Sequence, residues 1–141
     1  MRITIVGSGY IGLALAHHMQ AQGGVHLTLT TTSPGRLAEL EPHADQVLVA
    51  RADDPAALQA ALADAEAAVF CLAPTGDRQV DAAGYRSTYR DGMATLQALL
   101  PALPQLHQIV YTGSCSVYGD AGGGWVDETT PVAPADEHGQ I

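Results

Sequence analysis

The sequence predicts an α/β domain built as a doubly wound parallel sheet of about five strands, in the order 3-2-1-4-5, with helices on both faces. Three observations carry this. Short runs rich in β-branched residues alternate with longer stretches of helical period, the pattern of βαβ units. The runs ITIV, VLVA, AVFCL and QIVY are nearly continuous in apolar residues, as strands covered on both faces are. The chain has 141 residues, 47% hydrophobic and 15% charged, which suits one core rather than two.

The elements follow in order. Strands are expected over residues 2–6, 26–31, 46–50, 67–72 and 107–112, and helices over 10–22, 34–40, 55–65 and 83–100. Gly23 and Gly24 release the first helix. Ser33 can cap the second with Pro34 at its first position, and Asp54 can cap the third with Pro55. Pro101 stops the fourth helix. Right-handed crossovers with a reversal after the third strand give the stated order. The fifth strand is then an uncovered sheet edge unless something outside this chain pairs with it. From Gly113 onward glycines, prolines and acids replace periodicity, and the segment 113–141 reads as a long loop of the kind that is usually functional or incomplete.

Six basic residues against fifteen acidic ones give a formal net charge of −9. That excludes a nucleic-acid partner and disfavours an anionic membrane surface, both of which need a basic face. No acid precedes Glu39, whereas Arg2 and Arg36 both fall in that first stretch, so the N-terminal segment is locally hospitable to an anion. The apolar opening is broken by Gly7, Gly9 and Gly12, unlike a signal peptide, and no run approaches the roughly 18 residues of a membrane span. Cys71 and Cys115 form no CxxC pair, and a cytoplasmic protein is the expectation. Cys71 reads as a core residue. His17 and His18 cannot share a helix face, and His43 and His107 have no partner at metal-binding spacing, so no metal is expected.

Gly7-Ser8-Gly9-Tyr10-Ile11-Gly12 is GxGxxG, placed directly after the first strand and opening the first helix. Such a Rossmann turn needs Gly7 for its tight bend, Gly9 for the approach of a pyrophosphate and Gly12 for close packing of helix on strand. The phosphates lie on the helix N-terminus, where free N–H groups and the dipole favour negative charge. A glycine turn used only for packing and a site for S-adenosylmethionine are the alternatives. The second strand then bears on which dinucleotide is bound. An NAD site usually carries Asp or Glu there for the ribose 2′-hydroxyl; this chain has Thr31-Thr32-Ser33, with Arg36 one helical turn on. Hydroxyls and a guanidinium suit a 2′-phosphate, so NADP(H) is favoured with NAD(H) still open. The plainer reading makes Ser33 a cap and Arg36 a solvated residue. Asp53 can accept from the adenine amino group, and Ala73-Pro74 are small enough to run beside the cofactor's ribose and pyrophosphate.

Residues 111–120, YTGSCSVYGD, resemble the strand-five signature of the extended short-chain dehydrogenases, the NAD(P)-dependent epimerase/dehydratase family. That family reads SxxVYG here, often followed by ExxP, matched as Glu128-Thr129-Thr130-Pro131. With GxGxxG and the βα alternation, the resemblance covers essentially the whole chain. It implies that Ser114 hydrogen-bonds a reacting hydroxyl or carbonyl, that Tyr118 belongs to a structural turn, and that a later YxxxK motif supplies the proton-transferring Tyr. That motif is absent, and the family's pattern places His138 where the Tyr belongs; an imidazole can do such work near neutral pH. A chain cut before its substrate-binding part and an atypical branch that has lost the Tyr both fit. Trp125 either covers a substrate pocket or packs the loop onto the domain.

Three functions follow as expectations. The first is the NADP(H)-binding domain, residues 1–141, of an oxidoreductase or epimerase-like protein transferring hydride on a sugar-nucleotide or similar carbonyl or alcohol. Its partner would be an unknown small molecule, and a homo-oligomer is left open. The second is a non-catalytic NAD(P)-binding sensor or regulatory module, which the missing YxxxK favours. The third is a methyltransferase-like domain, against which SxxVYG argues.

Overall fold

The structure, a computed structural model, describes residues 1–74 and 81–141. Five parallel strands, β1 (Arg2–Val6), β2 (His26–Thr31), β3 (Gln46–Val49), β4 (Ala67–Phe70) and β5 (Gln108–Tyr111), form one sheet in the order β3-β2-β1-β4-β5. This is the predicted topology. Register pairs Ile5 with Leu29 and Val69, so three apolar side chains line up across one face of the sheet centre.

Alternation along β1 sends its side chains to two separate cores. Ile3 and Ile5 join Leu27, Leu29, Val69 and Cys71 under Ala16 of α1 (Tyr10–Gln22) and Leu40 of α2 (Leu37–Leu40). Val6, Ala68 and Phe70 face the other way, onto Leu58 and Leu62 of α3 (Pro55–Leu62) and Leu96 of α5 (Asp91–Leu99). Buried Thr4 remains satisfied because its Oγ1 donates to the Ala61 carbonyl at 2.9 Å. Helices therefore cover both faces, as expected.

The outer strands depart from the expectation. VLVA and QIVY read as buried on both faces, yet β3 is half-buried and every residue of β5 is exposed. Both are edges among the described residues, β3 bonded to β2 and β5 to β4, and Ile109, Val110 and Tyr111 of β5 keep about 40% of their surface.

Helix ends follow local chemistry. Gly23 and Gly24 take φ of +70° and +74° beyond α1. The Asp54 carboxylate accepts from the Ala56 and Ala57 amides, as a cap should. Ser33 does not cap through its side chain; only its carbonyl accepts, from the Arg36 amide at 3.1 Å. The expected helix over 34–40 is instead a 3₁₀ turn (Pro34–Arg36), the single turn α2 and a second 3₁₀ turn (Glu41–His43), because Pro34, Gly35 and Pro42 leave too few good helix formers between them. The helix expected over 83–100 is present but composite: α4 (Ala82–Tyr85), a π-helical turn (Arg86–Arg90) and α5. Segment 113–141 is more ordered than a loop, with a 3₁₀ turn at Cys115–Tyr118 and a helical turn α6 (Glu137–Gln140). Among the described residues Trp125 packs on nothing: at 103% relative exposure it neither covers a pocket nor docks the loop.

Candidate functional site

β1 delivers the chain into the glycine turn, and each glycine there answers to a measurable contact. Gly7 has φ +98°, and a Cβ on it would lie 2.5 Å from the Cys71 carbonyl oxygen. A Cβ on Gly12 would run into the Gly7 carbonyl and the Ile5 side chain. A Cβ on Gly9 would meet nothing within 4 Å. Gly7 and Gly12 are thus glycine for the fold, whereas the space beside Gly9 is open.

The turn is fixed to β2: the Ser8 amide and hydroxyl both donate to the Thr30 carbonyl, at 3.0 and 2.6 Å, and the Gly7 amide donates to Thr30 Oγ1 at 3.0 Å. α1 has no side-chain cap and no acid in its first turn. Its leading N–H groups and dipole therefore remain available to an anion. The donors fit the diphosphate of a dinucleotide.

Two neighbouring cavities meet at Leu72, which lines both. The first, about 480 Å³, brings together Gly7, Ser8, Gly9 and Tyr10 of the turn, Thr31 at the end of β2, Thr32 after it, and Arg36. Asp53, Ala73 and Pro74 complete the expected set, while Ser33, Ile11 and Gly12 lie outside this cavity. Arg36 is partly exposed but fully engaged. Its Nη1 donates to the Ser8 carbonyl at 2.9 Å, and Nε and Nη2 fork the Glu39 carboxylate at 3.0 and 2.6 Å, which holds the guanidinium above its ordinary pKa. Arg2, the other cation of the acid-free stretch, is instead held by Asp64 at 3.2 Å, away from the cavity. Asp53 is likewise engaged, both oxygens accepting from Arg51 at 2.8 and 2.7 Å. An adenine amino group would therefore share that carboxylate with a guanidinium. Sequence reasoning missed Arg51, Ser87 and Thr88, all of which line this cavity. The i, i+2 spacing of Arg51 and Asp53 was a usable signal; Ser87 and Thr88 had none.

The second cavity, about 860 Å³, lies where β5 runs into segment 113–141. Ser114 and His138, the two expected chemical residues, both line it, with Ile11 reaching in from the glycine turn. Ser114 Oγ donates to Ser116 Oγ at 3.0 Å and accepts from the Ser116 amide at 3.2 Å. His138 packs against Tyr85, ring centroids 4.3 Å apart and planes tilted by 41°. α6 is further tied down by an Arg86–Glu137 ion pair of 2.8 Å and by the Asp136 carboxylate accepting from the Gly139 amide. Tyr89 and Tyr111, which the sequence did not flag, also line this cavity, and burial pushes both phenols above their ordinary range.

The composite helix separates the two spaces: Ser87 and Thr88 face the first, and Tyr85, Tyr89 and Arg90 the second. Such π turns are frequent where a helix borders a functional site. Cys71 behaves as core, buried and with its thiol raised by desolvation. His43, which has no partner at metal-binding spacing, meets His17 with ring nitrogens 3.0 Å apart, a contact between α1 and the 3₁₀ turn after α2 that sequence spacing cannot show. Among the described residues no three His, Cys, Asp or Glu side chains gather as a metal site, and no helix is long and apolar enough to cross a membrane.

An open parallel sheet of this order, with a glycine turn at its topological switch, defines a nucleotide-binding Rossmann domain. The chain belongs to the NAD dependent epimerase/dehydratase family, whose model matches residues 3–140. It is 32% identical to Protein YeeZ of Escherichia coli K12 over 99% of its own length and 50% of that protein's. Among solved structures it superposes on a UDP-galactose 4-epimerase with a TM-score of 0.81 at 21% identity, covering 99% of this chain and 47% of the other. A dTDP-glucose 4,6-dehydratase from Bacillus anthracis, in complex with NAD, gives 0.78 at 21% identity, covering 99% and 46%. These last two likenesses show the fold. The chain spans about half the length of the curated relatives it matches.

Proposed function

We propose that residues 1–141 form the NADP(H)-binding domain of an oxidoreductase or epimerase-like protein that transfers hydride on a sugar-nucleotide or similar carbonyl or alcohol. The observation that carries this is the clear space beside Gly9, the N-cap residue of α1 with no side-chain cap, in the same cavity as Thr31, Thr32 and Arg36. The diphosphate would rest on the α1 amides, the adenosine half would extend toward Arg36 and Asp53, and the nicotinamide half would pass Leu72 into the second cavity. When bound, the nicotinamide supplies the hydride-accepting or hydride-donating carbon. Ser114 would hold the substrate oxygen there, turning its hydroxyl from Ser116, and His138 would exchange the proton. The family description and the sugar-nucleotide activities of the structural neighbours support the reaction class.

Thermal unfolding with NADP(H), NAD(H) and S-adenosylmethionine side by side tests the proposal, because a ligand that binds only the folded state raises its stability. A shift with NADP(H) alone supports it. A shift with S-adenosylmethionine alone replaces it, and no shift with any of the three withdraws the enzyme claim.

A further inference from the structure

The cation expected to greet a 2′-phosphate is already occupied. Arg36 holds Glu39 through a two-point fork, Nε to Oε2 at 3.0 Å and Nη2 to Oε1 at 2.6 Å. Carboxylate and phosphate bind that fork in the same way, so they compete for it. The third contact is of another kind. Nη1 donates to the Ser8 carbonyl at 2.9 Å, inside the glycine turn, and this bond needs neither anion. The other guanidinium of the cavity, Arg51, is neutralised likewise by Asp53. The adenosine end of the cavity thus offers two arginines and no uncompensated positive charge.

We infer that Glu39 is a specificity-determining residue: a 2′-phosphorylated dinucleotide is held by exchange, its phosphate displacing the Glu39 carboxylate from the Arg36 fork while Arg36 keeps the Ser8 carbonyl. NAD(H), with a neutral 2′-hydroxyl, leaves the Arg36–Glu39 pair closed. Preference between the two cofactors is then set by how tightly Glu39 competes, not by Arg36 alone. The strut from Nη1 to Ser8 also means that Arg36 supports the phosphate-binding turn with either cofactor, so replacing Arg36 is a poor test. Replacing Glu39 is a good one, because the side chain is exposed and packs into neither core.

The inference rests on the dinucleotide reading above, and its test separates the two. Dissociation constants for NADPH and NADH are measured by nucleotide fluorescence on the wild type, Glu39→Gln and Glu41→Gln, with 2′,5′-ADP and ADP as competing fragments. Glu41 is an exposed acid two residues on, and its replacement removes the same charge without touching the fork. The expected result is that Glu39→Gln raises the NADPH-over-NADH affinity ratio by about tenfold, the effect of removing one competing carboxylate at close range, through tighter NADPH with NADH unmoved. The 2′,5′-ADP-over-ADP ratio should rise in parallel, and Glu41→Gln should leave both ratios near wild type. An unchanged ratio in Glu39→Gln, or an equal rise in Glu41→Gln, overturns the exchange while leaving dinucleotide binding intact. Failure of the wild type to bind either dinucleotide overturns the cofactor reading itself, and the exchange with it.

Discussion

Replacing Gly9 and Gly12 by alanine, one at a time, separates the two uses to which the glycine turn is put. At Gly9 the backbone sits at φ −75° and ψ −158°, open to any residue, and a Cβ would meet no atom within 4 Å. Gly9→Ala should therefore fold normally and gain up to about 1 kcal/mol through a less flexible unfolded chain, raising Tm by a few degrees. Its methyl group would project into the space a diphosphate needs. Losing one or two charge-assisted bonds there, each about 1.5–3 kcal/mol, weakens NADPH at least tenfold. At Gly12 the order reverses: the methyl group would collide with the Gly7 carbonyl and Ile5. Overpacking of this kind costs about 1–3 kcal/mol, more where backbone must move. Thermal unfolding without ligand and NADPH titration by fluorescence measure the two effects independently. The reasoning is refuted if Gly9→Ala loses stability, or if it binds NADPH as tightly as the wild type.

Other outcomes follow from the same geometry. Phe70→Ala, at a fully buried side chain in the core beneath α3 and α5, should cost about 3–5 kcal/mol in chemical denaturation. Trp125→Ala should change stability by less than about 0.5 kcal/mol and give a simple tryptophan-emission assignment for a solvated indole. A thiol reagent should label exposed Cys115 in the folded protein and spare Cys71 until unfolding, read by peptide mass mapping. Asp127 is held below the usual carboxylate range by hydrogen bonds from Thr129 and Thr130. Its folded pKa lies under the unfolded value of about 3.9, so its contribution is present at neutral pH and is lost as pH falls from about 4 through the folded pKa. Proteolysis within residues 127–130 should accelerate over that range, and Asp127→Asn should abolish the pH dependence.

The first half of the fold was legible because its local signals agree. β1, α1 and β2 lie where glycines and apolar periodicity put them, and Asp54 caps as its neighbours imply. The outer strands were misjudged because apolar composition reports the tendency to be buried, and whether a covering layer exists is a property of the whole sheet. The helix over 34–40 failed where Gly35 and Pro42 break propensity, and the π turn at Arg86–Arg90 has no sequence mark. At the site, Gly7, Gly9, Thr31, Thr32, Arg36 and Asp53 do gather in one cavity, and Ser114 and His138 in the next. The side-chain partners were not legible. Glu39 and Asp53 neutralise the two arginines, and His17 meets His43, through contacts that depend on rotamers and on how loops return.

The account turns on a dinucleotide lying across the glycine turn, and amide NMR on the isotope-labelled chain during NADPH titration tests that most directly. Saturable shifts in the amides of Gly9, Tyr10, Ile11 and Gly12, joined by Thr31, Thr32 and the Arg36 side chain, are the predicted result. Shifts that spare the turn, or none at millimolar NADPH, would contradict it.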